Sequence, residues 1–489
     1  MKTKLSLASF LTVVGLGFMF VCSNATAQSV TKVMDMNWAA GGGGGSFGPK
    51  GRLVPVGTNY WFLTENGGVF GFGGAFSFDP VANTQTEISS LGLDANTPYG
   101  SFTIADGKAW FTTTRGGAGD KGALSYIDTN SPGAPTSVFS FPNNNNAPGQ
   151  ANCGDSPRCT PVLIGNELWM LSSLGGSNSG GALIKYNLTN GVMTSVHHFT
   201  LNNGRLPFGS LVKQGDAYYF TTHEGGTNVG SGFPNGAGTM SRLTFDGLGN
   251  PIVTKLIDMP IGITGFPDGD VCSVGTNHLY FVANGNTANP GSLIRYDIAN
   301  NTWSNMFSFS SATKTNLGAS PNAATPVHVE GNLYFATMNG GTSDRGALLK
   351  FSIAENTMTK IANFIGGGNA ESLGSRPQYQ SGTYVPGTNN CDKKIYMFAF
   401  RGGANGPSAT GNGTLFTINL GQPVVSVSNS SFTAKSLSWR GGYPPFAVQS
   451  ATNVVSPVWV TEATGLTTNS ITVNSTSSQK FYRVSASCQ

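Results

Sequence analysis

Short apolar strands separated by glycine turns repeat along most of the chain. In each copy an apolar stretch leads into a turn that is usually Gly-Gly, and a further glycine then begins another apolar stretch. Alternating apolar positions are typical of β-strands, because successive strand residues face opposite sides of a sheet. The pattern therefore predicts an all-β protein. The second position of the strand before the turn is always aromatic: Trp61, Trp110, Trp169, Tyr219, Tyr280, Tyr334 and Tyr396.

The spacing of the copies predicts how the strands assemble. The glycine that begins the third strand recurs at Gly74, Gly122, Gly181, Gly238, Gly291, Gly346 and Gly413. These intervals leave room for four short strands and their turns. A proline precedes the first strand of each copy, where its missing N–H costs no sheet hydrogen bond. Because one such unit cannot bury its own faces, we expect a seven-bladed β-propeller of four-stranded blades, with the aromatic rings between blades.

The two ends of the repeat region predict closure. The seventh copy ends after its third strand, at residues 414–419, whereas residues 30–35 resemble a fourth strand with no preceding three. Pairing the two would complete the last blade and leave no unpaired edge. The expected propeller spans residues 28–422. Residues 423–489 break the repeat, and their short alternating strands predict a small C-terminal β-sandwich.

The N-terminal segment predicts export. Lys2 and Lys4 precede an apolar stretch over residues 7–21, and Ala25-Thr26-Ala27 is a typical cleavage site. We therefore expect residues 1–27 to be a signal peptide that is cleaved after Ala27. The rest has no second apolar span, so we expect a soluble, monomeric product that is secreted or held at the cell surface.

Composition narrows the classes of partner. Charged residues make up 10% of the chain, the formal net charge is +4, and there are 68 glycines. Without a basic run, neither nucleic acid nor an anionic membrane surface is expected to be a partner. A surface rich in uncharged polar residues is instead typical of loop-rich extracellular β-proteins.

Cysteine spacing predicts a local cross-link. Cys153 and Cys159 flank a short polar loop, which a disulfide closes readily in an oxidising compartment. The alternative, a metal site, would need a second Cys or His pair nearby. The pairing of Cys272, Cys391 and Cys488 stays open.

The repeat resembles a known family pattern. An aromatic strand, Gly-Gly, and then Gly-Ala-Leu or Gly-Thr-Leu resembles the GloVer-type tandem repeat of secreted bacterial proteins, over residues 30–420. The segment 296–303 is also similar to kelch repeats. The tail resembles C-terminal β-sandwich modules of exported proteins. The resemblance implies a propeller-like fold and export without a defined activity, and implies attachment or sorting for the tail.

Candidate functional residues are those that differ between copies next to the turns. A propeller binds at its channel mouth, where the loops of its blades converge. Directly before the turn glycines, the candidate binding residues are Asn66, Arg115, Glu224, Asn339 and Arg401. One position earlier stand Glu65, Thr114, Ser173, His223, Asn284, Met338 and Phe400.

One pair among these residues suggests catalysis. His223 and Glu224 adjoin, and with Arg115 and Arg401 they could form an acid/base set around an anionic substrate. The alternative is that they are solvated turn residues on separate blades, since adjacent strand residues face opposite sides. No cofactor is predicted. Calcium is left open by the turn carboxylates of Asp268, Asp270, Asp120 and Asp344, although no loop has dense calcium-site spacing.

Three functions follow from these features. The first is a secreted propeller that binds a glycan or a protein at the channel mouth, because the scaffold is complete and carries no catalytic signature. The second is an extracellular lyase or hydrolase acting on a polysaccharide or a lactone. The third is a structural cell-surface component anchored through its tail.

Overall fold

Two compact units make up the chain. The computed structural model describes residues 29–36, 48–142, 152–230, 232–261, 265–285, 290–366, 373–377, 381–388, 392–403, 412–421, 424–429, 434–440, 445–452, 458–474 and 480–486. The larger unit comprises Lys32–Thr383 and Tyr396–Phe416, and the smaller comprises Met1–Thr31, Tyr384–Ile395 and Thr417–Gln489. The expected signal peptide, residues 1–27, lies outside the described residues and stays a prediction.

Nearly all of the regular structure is β-strand, as the apolar alternation predicts. The strands of the repeat region are β1 (Ser29–Asp35), β2 (Pro49–Val56), β3 (Asn59–Thr64), β4 (Gly74–Asp79), β5 (Thr84–Ser90), β6 (Asn96–Pro98), β7 (Thr103–Ala105), β8 (Lys108–Arg115), β9 (Ala123–Asp128), β10 (Thr136–Ser140), β11 (Val162–Ile164), β12 (Glu167–Ser172), β13 (Ala182–Asn187), β14 (Met193–His198), β15 (Val212–Gln214), β16 (Ala217–Thr222), β17 (Thr239–Phe245), β18 (Pro251–Asp258), β19 (Cys272–Val274), β20 (His278–Ala283), β21 (Ser292–Asp297), β22 (Thr302–Ser308), β23 (Val327–Val329), β24 (Asn332–Ala336), β25 (Ala347–Ser352), β26 (Thr357–Asn363), β27 (Thr383–Val385), β28 (Lys394–Ala399) and β29 (Thr414–Asn419). The tail adds β30 (Val424–Asn429), β31 (Ala434–Arg440), β32 (Phe446–Ala451), β33 (Val460–Leu466), β34 (Ser470–Asn474) and β35 (Phe481–Ala486). One helical turn, α1, spans Lys314–Leu317.

Each of the seven copies forms its own sheet. Five have four strands in chain order, beginning with β2-β3-β4-β5 and ending with β23-β24-β25-β26. In the second copy both β6 and β7 pair with β8, so its first strand is interrupted and the sheet has five strands. The seventh sheet has the order β1-β29-β28-β27. The N-terminal strand therefore completes the sheet of the last copy, and this prediction is confirmed.

The sheets of the larger unit pack face to face through aromatic rings. The strand-two aromatic residues are all buried, with exposed fractions from 1% to 5%, so their predicted place in the core is confirmed. Trp110 lies 5.9 Å, between ring centroids, from Tyr186 of the next copy. The first and seventh copies also meet, because the rings of Phe62 and Phe398 lie 5.0 Å apart. Neighbouring copies thus bury each other's faces.

Glycine and proline positions also link one copy to the next. A Cβ atom added at Gly122 would lie 3.1 Å from Cδ of Pro157 in the following copy and would overlap the carbonyl oxygen of Thr113. The same approach joins Gly181 to Pro207, Gly238 to Pro267, Gly291 to Pro321, Gly346 to Pro377 and, from the seventh copy to the first, Gly413 to Pro49. In the first copy the glycine that approaches the next proline, Pro98, is Gly73 rather than the predicted Gly74. The repeated glycine is therefore required by the neighbouring copy as well as by its own turn.

The described strands of the tail form two three-stranded sheets, β30-β31-β34 and β33-β32-β35. Leu437 and Trp439 on β31 share a hydrophobic cluster with Phe446 and Val448 on β32 and with Tyr482 on β35. The rings of Trp439 and Phe446 lie 5.4 Å apart in an edge-to-face arrangement. The two sheets of the smaller unit thus bury a common core.

The predicted disulfide between Cys153 and Cys159 is not formed, so this prediction is wrong. Cys159 is a buried thiol. Its sulfur accepts a hydrogen bond from the N–H of Leu171 at 3.2 Å, and burial raises the pKa of the thiol to about 12. The residue serves to attach the inner segment of its copy to β12 rather than to close a loop. Cys272 is likewise a buried thiol, whereas Cys391 and Cys488 lie outside the described residues.

Candidate functional site

All seven copies contribute to one cavity in the larger unit. Its volume is about 330 Å³, and its walls come from the segments that follow the proline of each copy. Among the polar side chains of these walls hydroxyl groups are the most numerous, and they stand beside basic, acidic, aromatic and aliphatic side chains. The hydroxyl-bearing residues are Ser101, Thr103, Thr160, Ser210, Thr325 and Ser381, and the others include Arg52, Tyr99, Arg158, Phe208, Lys213, Asp268 and Asp270.

A circuit of hydrogen bonds runs around this cavity from copy to copy. At each step a main-chain N–H donates to a side chain of the following copy: Arg52 to Ser101 Oγ (2.9 Å), Ser101 to Thr160 Oγ1 (2.8 Å), Thr160 to Ser210 Oγ (2.9 Å), Ser210 to Asp270 Oδ1, and Asp270 to Thr325 Oγ1 (3.0 Å). A bridge pairs Thr325 with Ser381, whose N–H donates to the carbonyl of Gly51 at 3.4 Å. The circuit thus returns to the first copy.

Three of the four hydroxyl groups of this circuit keep their protons available. In Ser101, Thr160, Ser210 and Thr325 the oxygen accepts a main-chain N–H. The Ser210 hydroxyl also bonds the Asp270 carboxyl group, whereas within the described residues Ser101, Thr160 and Thr325 donate to no other protein group. A hydroxyl group has one proton to donate as well as lone pairs to accept. The cavity wall therefore presents a set of donors.

Asp270 is the acidic member of the circuit. Burial raises the pKa of its carboxyl group, whereas the Ser210 N–H bond and the charge of Arg52 favour the ionised form. The carboxylate thus occupies a position that hydroxyl groups occupy in neighbouring copies.

A stacked row of cationic and aromatic side chains lies at one end of the cavity; we call it the cation–aromatic row. Lys50 Nζ lies 5.4 Å from the Phe400 ring centroid and 3.1 Å from the Tyr99 ring centroid. Arg158 Cζ lies 5.2 Å from the Tyr99 centroid and 4.2 Å from the Phe208 centroid. The His223 ring centroid lies 4.9 Å from that of Phe208 and 4.6 Å from that of Phe266. Cations over ring faces attract the ring quadrupole, so each member stabilises the next.

Lys50 is the most buried cation of the row, with 2% of its side chain exposed. Its Nζ lies 3.0 Å from Glu65 Oε2, and the Tyr99 hydroxyl donates to Glu65 Oε1 at 3.0 Å. Burial lowers the pKa of Lys50 to about 7, although the Glu65 carboxylate opposes this shift. A single carboxylate thus compensates only part of the cost of burying the ammonium group.

Arg158 stands between two rings. Its Cζ lies 4.2 Å from the Phe208 ring centroid and 5.2 Å from that of Tyr99. Its Nε is buried and has no hydrogen-bond partner among the described residues. The row holds the guanidinium in place by stacking, and Arg158 is part of the cavity wall.

His223 pairs with Asp268 rather than with Glu224. Its Nδ1 is hydrogen-bonded to Asp268 Oδ1, and Asn284 Nδ2 donates to the other carboxylate oxygen at 2.6 Å. Glu224 instead lies 3.6 Å from Arg205 Nε and accepts from Asn235 Nδ2 at 3.2 Å. The adjacent residues of the predicted pair therefore have separate partners, as expected for neighbours along a strand.

The five predicted binding residues do not line the cavity. Four of them form backbone pairs with the segment that leads into the inner strand of their own copy: Arg115 with Asn96, Glu224 with Arg205, Asn339 with Ala319 and Arg401 with Ser375. Asn66, the fifth, is half-buried at the end of its strand. Residues one position earlier, such as Glu65 and His223, contact the cation–aromatic row instead. A role in binding for the five stays a prediction.

The carboxylates considered for calcium have other partners. Asp120 and Asp344 accept main-chain N–H bonds inside their own turns, from Gly116 at 2.9 Å and Gly340 at 2.7 Å. In the part of the chain that the structure describes, no three His, Cys, Asp or Glu side chains converge where they could hold a metal ion.

Comparison with known proteins yields structural likenesses alone. No family model and no curated protein matches the chain. The structure is similar to an oligogalacturonate lyase in complex with manganese, with 13% identity, a TM-score of 0.47, and coverage of 84% of this chain and 96% of that one. An oligogalacturonate lyase from Vibrio parahaemolyticus is 10% identical, with a TM-score of 0.47 and coverage of 84% of this chain and 97% of that one. YCF48 bound to D1 peptide is 12% identical, with a TM-score of 0.43 and coverage of 82% of this chain and 96% of that one. We therefore infer function from the cavity itself.

Among the described residues, no helix has the length and apolar character needed to cross a membrane.

Proposed function

We propose that the larger unit is a seven-bladed β-propeller, closed by the N-terminal strand. Seven copies each supply a sheet, and three kinds of contact lead from the seventh copy back to the first. These are the Phe62–Phe398 ring contact, the approach of Gly413 to Pro49, and the hydrogen bond from Ser381 to Gly51. A closed circuit of sheets is the arrangement that buries both faces of every blade.

The protein is exported after cleavage at Ala27 and acts as a monomer outside the cell or at its surface. The repeat resembles GloVer-type repeats of secreted bacterial proteins. The tail is a small β-sandwich, and the common core of its two sheets supports this fold. Its role is attachment or sorting.

Its function is to bind a saccharide in the cavity. The observation that carries this proposal is the set of hydroxyl groups around the cavity, of which Ser101, Thr160 and Thr325 have protons left to donate. An oxygen-rich ligand accepts such bonds at many points. A volume of about 330 Å³ falls at the small end of the range for small-molecule sites, roughly 300–1,000 Å³. This size favours a glycan over the surface of a folded protein partner.

Thr160→Val tests the saccharide site. The substitution keeps the shape of the side chain but removes the hydroxyl group, so one donor to the ligand is lost. For any oligosaccharide identified on a glycan array, we expect affinity to fall about fivefold to tenfold, as one hydrogen bond of about 1 kcal/mol implies. Isothermal titration calorimetry measures the change.

Thr189→Val is the matched control, because Thr189 lies in an exposed hairpin turn and bonds Asn166. It should leave affinity unchanged. A thermal melt of each variant separates loss of binding from loss of folding. If no glycan on the array binds the wild-type protein, or if Thr160→Val binds as tightly as wild type, the saccharide site is not this cavity.

A second candidate function is catalysis by the same end of the cavity. Its support is that Asp268, with 6% of its side chain exposed, holds one nitrogen of His223, while the His223 side chain is 22% exposed. A carboxylate that orients an imidazole is the arrangement of a general base. The reaction would be elimination or hydrolysis on a polysaccharide or a lactone.

His223→Ala tests the catalytic candidate. If a polysaccharide or lactone is turned over, we expect the substitution to reduce the rate by roughly 100-fold or more, the contribution typical of a general base. His197→Ala is the control, because the His197 ring also contacts a phenylalanine ring, edge to face, but lies on β14. Equal rates for His223→Ala and wild type would exclude His223 as the base.

A further inference from the structure

The charges at the cation–aromatic row are unequally paired. Lys50 is paired with Glu65, whose second oxygen accepts from Tyr99. Both oxygens of Asp268 are occupied, by His223 and by Asn284. Arg158 remains, and among the described residues it has neither a carboxylate nor a hydrogen-bond partner. One arginine therefore reaches the cavity without a compensating anion.

The stacking determines how Arg158 can meet a ligand. Phe208 is in contact with Arg158 and with His223, and Tyr99 is in contact with Lys50 and Arg158. The guanidinium is therefore held between two rings at the cavity wall. The guanidinium and the hydroxyl protons both favour negative charge on the ligand.

We propose that the ligand of this cavity is an acidic saccharide, a sugar that bears a carboxylate, and that Arg158 binds the carboxylate through its planar fork of N–H groups. This inference rests on the proposed saccharide-binding function and specifies its ligand class. A guanidinium and a carboxylate are both planar and match in two parallel hydrogen bonds. Stacking holds the fork in advance, so little side-chain freedom is lost on binding.

The experiment compares four oligosaccharides that differ in one group. The sugar carries a hydroxymethyl group, a carboxylate, the methyl ester of that carboxylate, or a sulfate ester at the same position. Calorimetric titration of the wild-type protein should show the carboxylate form binding at least tenfold tighter than the hydroxymethyl and methyl-ester forms. The sulfate form should lie between them, because it supplies the charge without the planar carboxylate that matches the guanidinium; binding as tight as that of the carboxylate form would show that charge alone contributes. Raising the salt concentration should weaken binding of the two anionic forms most.

Variants of Arg158 test the residue. Arg158→Gln should reduce carboxylate binding tenfold or more, to the level of the neutral sugar, and change neutral binding less than twofold. Arg158→Lys keeps the charge without the fork and should recover part of the loss. Arg483→Gln is the matched control, since Arg483 Cζ also lies 4.2 Å from an aromatic centroid, that of Trp459 in the tail. It should change neither affinity.

Each failure has its own outcome. If none of the four sugars binds, the proposed function is wrong, and the acidic ligand with it. If the neutral sugar binds as tightly as the carboxylate form, only the acidic specificity is wrong. If Arg158→Gln weakens both forms equally while its thermal melt matches wild type, Arg158 does not read the carboxylate. The ligand series alone decides the specificity should Arg158→Gln fail to fold.

Discussion

Gly122→Ala is expected to destabilise the protein by about 3 to 5 kcal/mol, the range of a severe core substitution. The new Cβ would overlap the carbonyl oxygen of Thr113, and it would lie 3.1 Å from Pro157 Cδ in the next copy. Neither neighbour can retreat easily, because Thr113 belongs to the packed strand β8 and Pro157 is buried. The backbone at this glycine has a φ of +100°, which L side chains rarely adopt. Urea denaturation followed by circular dichroism measures the loss.

Two control substitutions separate the causes. Gly165 has a φ of +60° but no atom near an added Cβ, so Gly165→Ala should cost roughly 1–2 kcal/mol, the cost of the left-handed conformation. Gly133 has neither a positive φ nor a close neighbour, and Gly133→Ala should be neutral. If Gly122→Ala costs no more than Gly165→Ala, close packing between copies does not explain the repeated glycine.

Lys50→Met is expected to remove a pH dependence of stability. The folded pKa of Lys50, about 7, lies below its ordinary value of 10.5. Between these values the unfolded chain binds more protons than the folded one, so the free energy of unfolding rises as the pH increases. At 1.36 kcal/mol for each unit of pKa, the rise is at most roughly 5 kcal/mol. Methionine has a similar shape and no charge, and it leaves the Tyr99–Glu65 hydrogen bond in place.

The measurement is the free energy of unfolding of both proteins from pH 6 to 10. Groups remote from position 50 act alike in both proteins, so the difference between them reports Lys50 and its ion-pair partner Glu65. Cys159 is such a group: its raised pKa lowers stability as the pH increases through the range where the unfolded thiol ionises. We expect the free energy of unfolding of Lys50→Met to exceed that of wild type most near pH 6 and least near pH 10. A constant difference across this range would show that Lys50 is not buried as an ammonium group in the fold.

The fold follows closely from the sequence, because the same local rule acts in every copy. Trp169 and Tyr280 are buried where the strand pattern places them, and the isolated N-terminal strand pairs with β29. Two details were not predictable. One is the paired segment ahead of the inner strand, which is a separate strand, β6, in the second copy and a single bridge in others, such as Arg205 with Glu224. The other is the helical turn α1, which has no equivalent among the described residues of the other copies. Neither has a signal in the apolar pattern, because both lie in loops.

The site was harder to predict, because it depends on which face of its strand each residue occupies. Shifting by one residue along a strand moves a side chain to the opposite face. The predicted binding residues include Glu224, whereas it is His223, one position earlier, that belongs to the cation–aromatic row. Residues directly after the prolines, such as Tyr99 and Arg158, were overlooked. Their signal was present, since the prolines mark equivalent points and the residues that follow differ from copy to copy.

The predicted disulfide failed for a related reason. Spacing alone shows that Cys153 and Cys159 could meet, but not that a neighbouring strand competes for the sulfur. The N–H of Leu171 on β12 lies 3.2 Å from the Cys159 sulfur, and this contact depends on a pairing between segments that sequence distance does not reveal.

The contact of each third-strand glycine with the next proline has a consequence for how such a protein can evolve. The residue after that proline belongs to the same copy and differs from its counterparts, as in Lys50, Tyr99 and Arg158. A recombination event that exchanges one whole repeat brings a compatible glycine and proline together with a new cavity residue. Duplication and exchange of repeats can therefore change one segment of the cavity wall, and with it the ligand preference, while the packing between copies is preserved.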